Sequence, residues 1–255
     1  NEYGLRNHRV TGKYYKAWTL ARNDNPVLQK FEIEMAKERL VEAKAVYLYP
    51  ALGATVTMSY KIDADGVVAV TQKMKAGSGV EKVELLMRYG VDMAMSDKFD
   101  RIEFYGEGPH ENYMDRNSSA LMGHYVQRVE DQYHYGYVRP QESGTKTQLR
   151  WIKVTDDNGM GLMITADERF SASALPVSRR QIDMSISGGG RSDGGDQRHS
   201  LELKKYAFEN QRSLGKTYVN FDLRQMGLGC VTSWGAWPRE EYQVKPAPME
   251  FRFVI

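Results

Sequence analysis

An all-β fold, a large antiparallel sandwich, is what this sequence predicts, and three observations carry the prediction. Apolar and polar residues alternate with a period of two, the mark of strands with one buried face. The pairs Asp65-Gly66 and Asn158-Gly159 each fall between two alternating runs, where a hairpin needs a turn. Helical spacing is scarce, and no strand–helix–strand alternation of the kind that builds a parallel sheet is present.

The elements follow in order. KFEIEM and AVYLYP read as strands. AKERLVEAKAV, which overlaps the second of them, has helical spacing that tertiary context readily converts to strand. In TVTMSYKIDADGVVAVTQKM, residues Val56, Met58, Tyr60 and Ile62 share a face; Val68, Val70 and Gln72 continue beyond the turn. VELLMRYGV and RIEFYG are further strands. SSALMGHYVQRVEDQY predicts one short helix, because Leu121, Tyr125 and Val129 are four apart. TQLRWIKVTDDNGMGLMIT is a second hairpin, and Asn158-Gly159 suits the positive φ of a type I′ turn. QIDMSIS, TYVNFDLR and MEFRFVI complete at least ten strands, and the Gly-rich SGGGRSDGGDQR reads as a surface loop.

Composition narrows the function classes. The chain has 255 residues and a net charge of +2, from 35 Lys+Arg against 33 Asp+Glu. The basic residues form no run, so no nucleic-acid surface is expected. No apolar stretch approaches the ~18 residues that span a membrane. NEYGLRNHRV is too polar for a signal peptide, and localisation stays open. Cys230 is the single cysteine, so no intrachain disulfide framework exists. The Gly-rich stretch lacks the GK[ST] ending of a phosphate loop, and no HExxH, GxSxG or zinc spacing occurs. No catalytic residue and no metal ligand is nominated.

Three clusters could carry chemistry. YGEGPHENYMDR packs Glu107, His110, Glu111, Asp115 and Arg116 between glycines and a proline. A retaining glycosidase needs two carboxyls roughly 5 Å apart, which would cast Glu107 or Glu111 as acid or nucleophile. The preferred reading is structural: carboxylates that accept backbone N–H bonds and pin a loop between strands. YHYGYVRPQESG sets four aromatic rings beside Arg139, Gln141 and Glu142, as a sugar platform or as a packed sandwich corner. MGLGCVTSWGAW places Trp234 and Trp237 after two glycines, and there ring stacking on a sugar and core packing both stand.

Taken together, these segments resemble the C-terminal domain of family 2 β-galactosidases. Gly108, Pro109, Glu111, Asn112, Tyr113, Asp115 and Arg116 match that family's G-P-x-E-N-Y-x-D-R pattern. The second cluster is similar to Y-x-x-P-x-E-N-G, with Ser143 where Asn is usual. Met226, Gly227, Gly229, Ser233 and Trp234 match M-G-[IVL]-G-G-D-x-S-W, with Cys230, Val231 and Thr232 in place of Gly-Asp-Asp. Asn1, Glu2 and Gly4 resemble the end of R-A-P-x-D-N-[DE]-x-G.

The resemblance implies a galactose-mutarotase-like β-supersandwich, one domain over residues 1–255, excised from a larger chain. It implies that two glutamates of a separate TIM barrel do the chemistry. The isolated fragment is then expected to be inactive. Trp234 would form a pocket wall that stacks on substrate, and Gly4 would begin a mobile loop over the site. The implied partners are a β-galactoside, the other domains of the complete enzyme and, in that enzyme, further copies of itself. No cofactor is expected in the fragment, while Mg and Na are admitted for the complete enzyme. The alternatives are a stand-alone carbohydrate-binding module and a mutarotase-like epimerase. The epimerase needs a converging Glu base and His acid, and the histidines here do not fall in that family's motifs.

Overall fold

The computed structural model describes residues 25–37, 39–50, 52–77, 85–134, 142–178, 182, 215–229 and 237–255. The expected strand QIDMSIS apart from Ile182, the Gly-rich stretch, Cys230, Gly4 and Trp234 lie outside them. Eleven strands run in chain order among the described residues: β1 Val27–Lys37, β2 Leu40–Tyr49, β3 Ala54–Asp63, β4 Val68–Lys75, β5 Arg88–Ser96, β6 Arg101–Gly108, β7 Leu121–Arg128, β8 Lys146–Thr155, β9 Gly161–Leu175, β10 Lys216–Gln225 and β11 Met249–Val254. Two one-turn 3-10 helices, Val129–Gln132 and Glu240–Tyr242, accompany them. The class is all-β and antiparallel, as the alternation predicts. No helix among the described residues is long and apolar enough to cross a membrane.

Contacts divide the chain into two compact units. The first holds Asn1–Tyr89, Ile164–Glu168 and Leu223–Ile255; the second holds Gly90–Met163 and Arg169–Asp222. In the first unit the strand order is β1-β2-β3-β4-β11, and Phe253 and Val254 of β11 then pair with Ala166 and Thr165 of β9. Its interior includes Val70, Phe251 and Phe253, and each buried ring contributes about 2–3 kcal/mol. In the second unit β6 lies between β7 and β8, and β10 pairs the outer part of β9 from Tyr218↔Leu175 to Asp222↔Ser171. Phe104, Leu149, Ile152, Phe170 and Phe221 form much of its fully buried core.

Two hairpins share one turn design. Asp63 N–H donates to Val67 O, and Gly66 N–H donates to Asp63 O, with Gly66 at φ +89. The Asp63 carboxylate also accepts from the N–H groups of Asp65 and Val67 at 2.9 and 3.0 Å. Asp156 repeats the pattern: it bonds Met160 and Gly159 through its backbone, and its side chain takes the N–H groups of Asn158 and Met160. This corrects the type I′ expectation. Gly159 has φ +80, but Asn158 is not in the left-handed region. The loop is therefore a three-residue one closed by glycine, which an Asp at its first position favours.

The predicted helix is also corrected. Leu121–Arg128 is the strand β7, paired with β6 from Leu121↔Gly108 to Arg128↔Arg101, and only Val129–Gln132 turns helically. AKERLVEAKAV spans the β1–β2 turn, as tertiary override allows. Of VELLMRYGV, Val83 and Glu84 lie outside the described residues, and within residues 85–91 the strand begins at Arg88.

Strand β6 shows the packing rule most plainly. Ile102, Phe104, Gly106 and Gly108 point inward in strict alternation. A Cβ on Gly106 would lie 2.5 Å from Leu149 Cδ2 and 3.0 Å from Leu149 Cα. Gly106→Ala should therefore destabilise by about 1–3 kcal/mol through overpacking. Gly159→Ala has open space around it and should lose only about 1 kcal/mol, to backbone strain. Urea unfolding of the two variants ranks them; equal losses would refute the packing explanation.

Candidate functional site

The inward glycines of β6 lead the chain into the segment 107–117, which begins with a cis Gly108–Pro109 bond. Asn112, 1% exposed, sits at its centre. Its backbone N–H donates to Thr145 O at 2.8 Å. Its side-chain amide donates to Glu107 O at 2.9 Å and His110 O at 3.1 Å. Its Oδ1 accepts from Thr147 N–H at 3.0 Å and is also in reach of the Thr147 hydroxyl. Both amide donors are thus used, and Oδ1 takes the Thr147 N–H with the Thr147 hydroxyl as its alternate second donor.

The two glutamates singled out from sequence are built into the same framework. Glu107 Oε2 lies 2.7 Å from Thr147 Oγ1 and accepts from Asn117 Nδ2 at 2.9 Å. The hydroxyl of Thr147 has one proton, so it serves Glu107 or Asn112 at any instant. Glu111 Oε2 accepts from Gly144 N–H at 2.8 Å and from Tyr113 OH at 3.3 Å. Gly144 has φ +72, and a Cβ there would meet Gln132 O at 2.7 Å, so this contact admits glycine alone. Tyr113 is buried, with its phenol pushed well above its ordinary range first by burial and then by Glu111 and Glu142. Arg116 lies over the Tyr113 ring, 5.3 Å from its centroid. His110 is exposed and meets Ser119 Oγ at 3.1 Å. Asp115 makes further contacts within the protein.

Lys146, Gln132 and Thr147 complete the network, and nothing in their sequence context marked them. Lys146 is 2% exposed; its Nζ donates to Gln132 Oε1 at 2.7 Å and Gly144 O at 3.3 Å. Burial pushes its amine down to about 8, against the opposing pull of Glu111. Gln132 Nε2 donates in turn to Arg128 O at 2.9 Å. Ser143, buried, accepts from His134 N–H at 2.8 Å and donates to Gln132 O at 3.3 Å. A short hydroxyl can make both bonds at this position. The network thus ties three stretches of one unit together: 107–117, 128–134 and 143–147.

The other two clusters are only partly described. Tyr133 is buried against Leu175, Val177 and Ile182, and Tyr135, Tyr137, Arg139 and Gln141 lie outside the described residues. In the third cluster Met226 N–H donates to Met87 O and Gly227 N–H to Tyr242 O, both at 2.8 Å. Trp237 packs with Leu52, Leu86 and Met226 against Leu85, so core packing is its role. Among the described residues no group of three or more His, Cys, Asp or Glu side chains is placed to hold a metal ion.

Comparison with known proteins gives these features a context. The family model described as the β-galactosidase small chain matches residues 2–255. The chain belongs to this family. Among its curated relatives, a β-galactosidase of Lactobacillus delbrueckii subsp. bulgaricus is 31% identical over 208 residues, which is 81% of this chain and 18% of that protein. A β-galactosidase of Halalkalibacterium halodurans is 29% identical over 201 residues, 78% of this chain and 18% of that one. A third, from Streptococcus thermophilus, is 29% identical over 233 residues, 90% and 20%. This small chain therefore spans about a fifth of the length of the curated relatives it matches.

Two outcomes test the network in the small chain. Asn112→Ala strips a partner from the buried N–H of Thr147 and from the part-buried carbonyls of Glu107 and His110, and should reduce stability by about 2–4 kcal/mol in chemical denaturation. A loss under about 1 kcal/mol would show that the loop is held by other contacts. Lys146 gives a pH signature. Below pH 8 the folded protein must bury an ammonium, so the burial cost is fully present. Above about 8 the folded state releases that proton, while the unfolded chain keeps it to about 10.5, so stability rises with pH in that window. Wild type should gain on Lys146→Met by up to about 1.4 kcal/mol per pH unit between pH 8 and 10. A pH-independent difference would refute it.

Proposed function

We propose that this chain forms one wall of the sugar pocket of a retaining β-galactosidase of glycoside hydrolase family 2, whose catalytic glutamates lie elsewhere in the same enzyme. The observation that carries the reading is one of extent. The small-chain family covers residues 2–255, yet the β-galactosidases that match are about five times as long. Most of each relative thus lies outside the matched region, with room for a separate catalytic domain.

The carboxylates support the same reading. Glu107 and Glu111 each commit an oxygen to two contacts that hold the loop together. Those contacts give both carboxylates the loop-pinning role that the sequence favours for them.

Trp234 is assigned the stacking contact with the apolar face of galactose. Its segment is bracketed by two anchors, the Met226 and Gly227 backbone bonds on one side and the packed Trp237 on the other. Gly4 begins the loop that moves over the occupied site. A wall of this kind binds weakly by itself, since one stacked ring supplies about 1–3 kcal/mol and millimolar affinity needs about 4. In this reading any Mg or Na that the complete enzyme uses takes its ligands outside this chain.

The test has two arms. The purified 255-residue chain should release no chromophore from an aryl β-galactoside. Sustained release that survives repurification would overturn the reading and make Glu107 and Glu111 the first residues to mutate. In the complete enzyme, Trp234→Ala should raise KM about tenfold or more, with a smaller change in kcat. An unchanged KM would remove Trp234 from the pocket.

A further inference from the structure

The first unit carries a sheet whose two faces differ in kind. Across β1-β2-β3-β4-β11 the register aligns Phe31, Ala45, Met58, Gln72 and Phe251 in one row. Ile33, Ala43, Tyr60, Val70 and Phe253 form the next row on the same face. The alternate residues form a charged face, with ion pairs Lys30–Glu32 at 2.6 Å, Lys61–Glu42 at 3.1 Å and Lys73–Glu250 at 2.9 Å. No charged residue belongs to either apolar row.

Burial along these rows is graded. Phe251 and Phe253 are 1% and 3% exposed, while Phe31 and Ile33, at the β1 end, are 55% and 61% exposed. Leu28, at 51%, extends the exposed end beside them. The charged face shows that β1 can carry polar side chains where it meets water. Large apolar side chains on the other face are what a covered surface requires, and a contiguous exposed patch of them marks an interaction site.

We propose that the exposed β1–β2 end of this face is the docking surface for the remainder of the β-galactosidase, which covers Leu28, Phe31 and Ile33. The identity of the partner rests on the function proposed above. One observation selects it over a second copy of the chain. The relatives carry about four-fifths of their length outside the matched region, so a large body of the same enzyme is available as the cover.

The test compares Phe31→Lys with Ile33→Glu, made together, against Lys30→Ser with Glu32→Ser on the charged face. The probe is the complete enzyme lacking this chain, expressed separately, and association is read by sedimentation and calorimetry rather than by turnover. The apolar-face variant alone should keep the wild-type melting temperature, because its two changed side chains are exposed. Its dissociation constant for the probe should rise at least about tenfold, while the charged-face variant binds as wild type. Wild-type binding by the apolar-face variant, or no association by the wild-type chain, overturns the proposal. So does a wild-type chain that sediments as a dimer which the variant dissolves, since the cover is then a second copy. A reassembled pair that associates but hydrolyses no aryl β-galactoside sinks the functional reading and leaves the docking surface standing.

Discussion

Asn112 holds the loop 107–117 by using the whole hydrogen-bonding capacity of one small side chain. Its amide bridges the two ends of a turn through Glu107 O and His110 O, and crosses to the next strand through Thr147 N–H. Around it Glu107, Glu111 and Gly144 meet their partners through the same loop. A buried polar network is stable when every member is satisfied, and expensive when one is not. That asymmetry makes the loop a fixed platform rather than a flexible connection.

Much of the fold was legible because strands with one wet face write their period into the sequence. Lys30, Glu32 and Glu34 separate cleanly from Phe31 and Ile33 onto the two faces of β1. The turns were legible as places, less so as types. Asp-Gly and Asn-Gly mark where the chain reverses, but the Asp that opens each turn selects the three-residue form by accepting two N–H groups.

β7 was misread for a specific reason. A spacing of four satisfies both periods, since residues i and i+4 share a face in a strand as well as in a helix. The residue between Leu121 and Tyr125 on that face decides the matter, and here it is Gly123, which carries no hydropathy signal. Its absent side chain makes room for its neighbour: a Cβ on Gly123 would lie 2.9 Å from the Tyr125 hydroxyl. The site divided in the same way. The polar cluster 105–116 was visible as a cluster, and its structural role followed from its glycines and proline. Lys146, Gln132 and Ser143 join it only through folding, from positions up to about forty residues away. A lysine in TKTQLR looks like any solvated charge until β8 carries it inward.

The bonds of Asn112 also set how this loop can drift over generations. Most of them end on main-chain atoms of Glu107, His110, Thr145 and Thr147, atoms that nearly every amino acid supplies, proline lacking only the N–H that Thr147 gives. Asn112, in contrast, has no substitute with two donors and two acceptors at the same reach. Mutational tolerance here is therefore lopsided: His110 and Thr145 offer Asn112 main chain alone and can change letter without changing that offer, whereas Asn112 is nearly frozen and Glu107 and Thr147 are tied by a side-chain bond of their own.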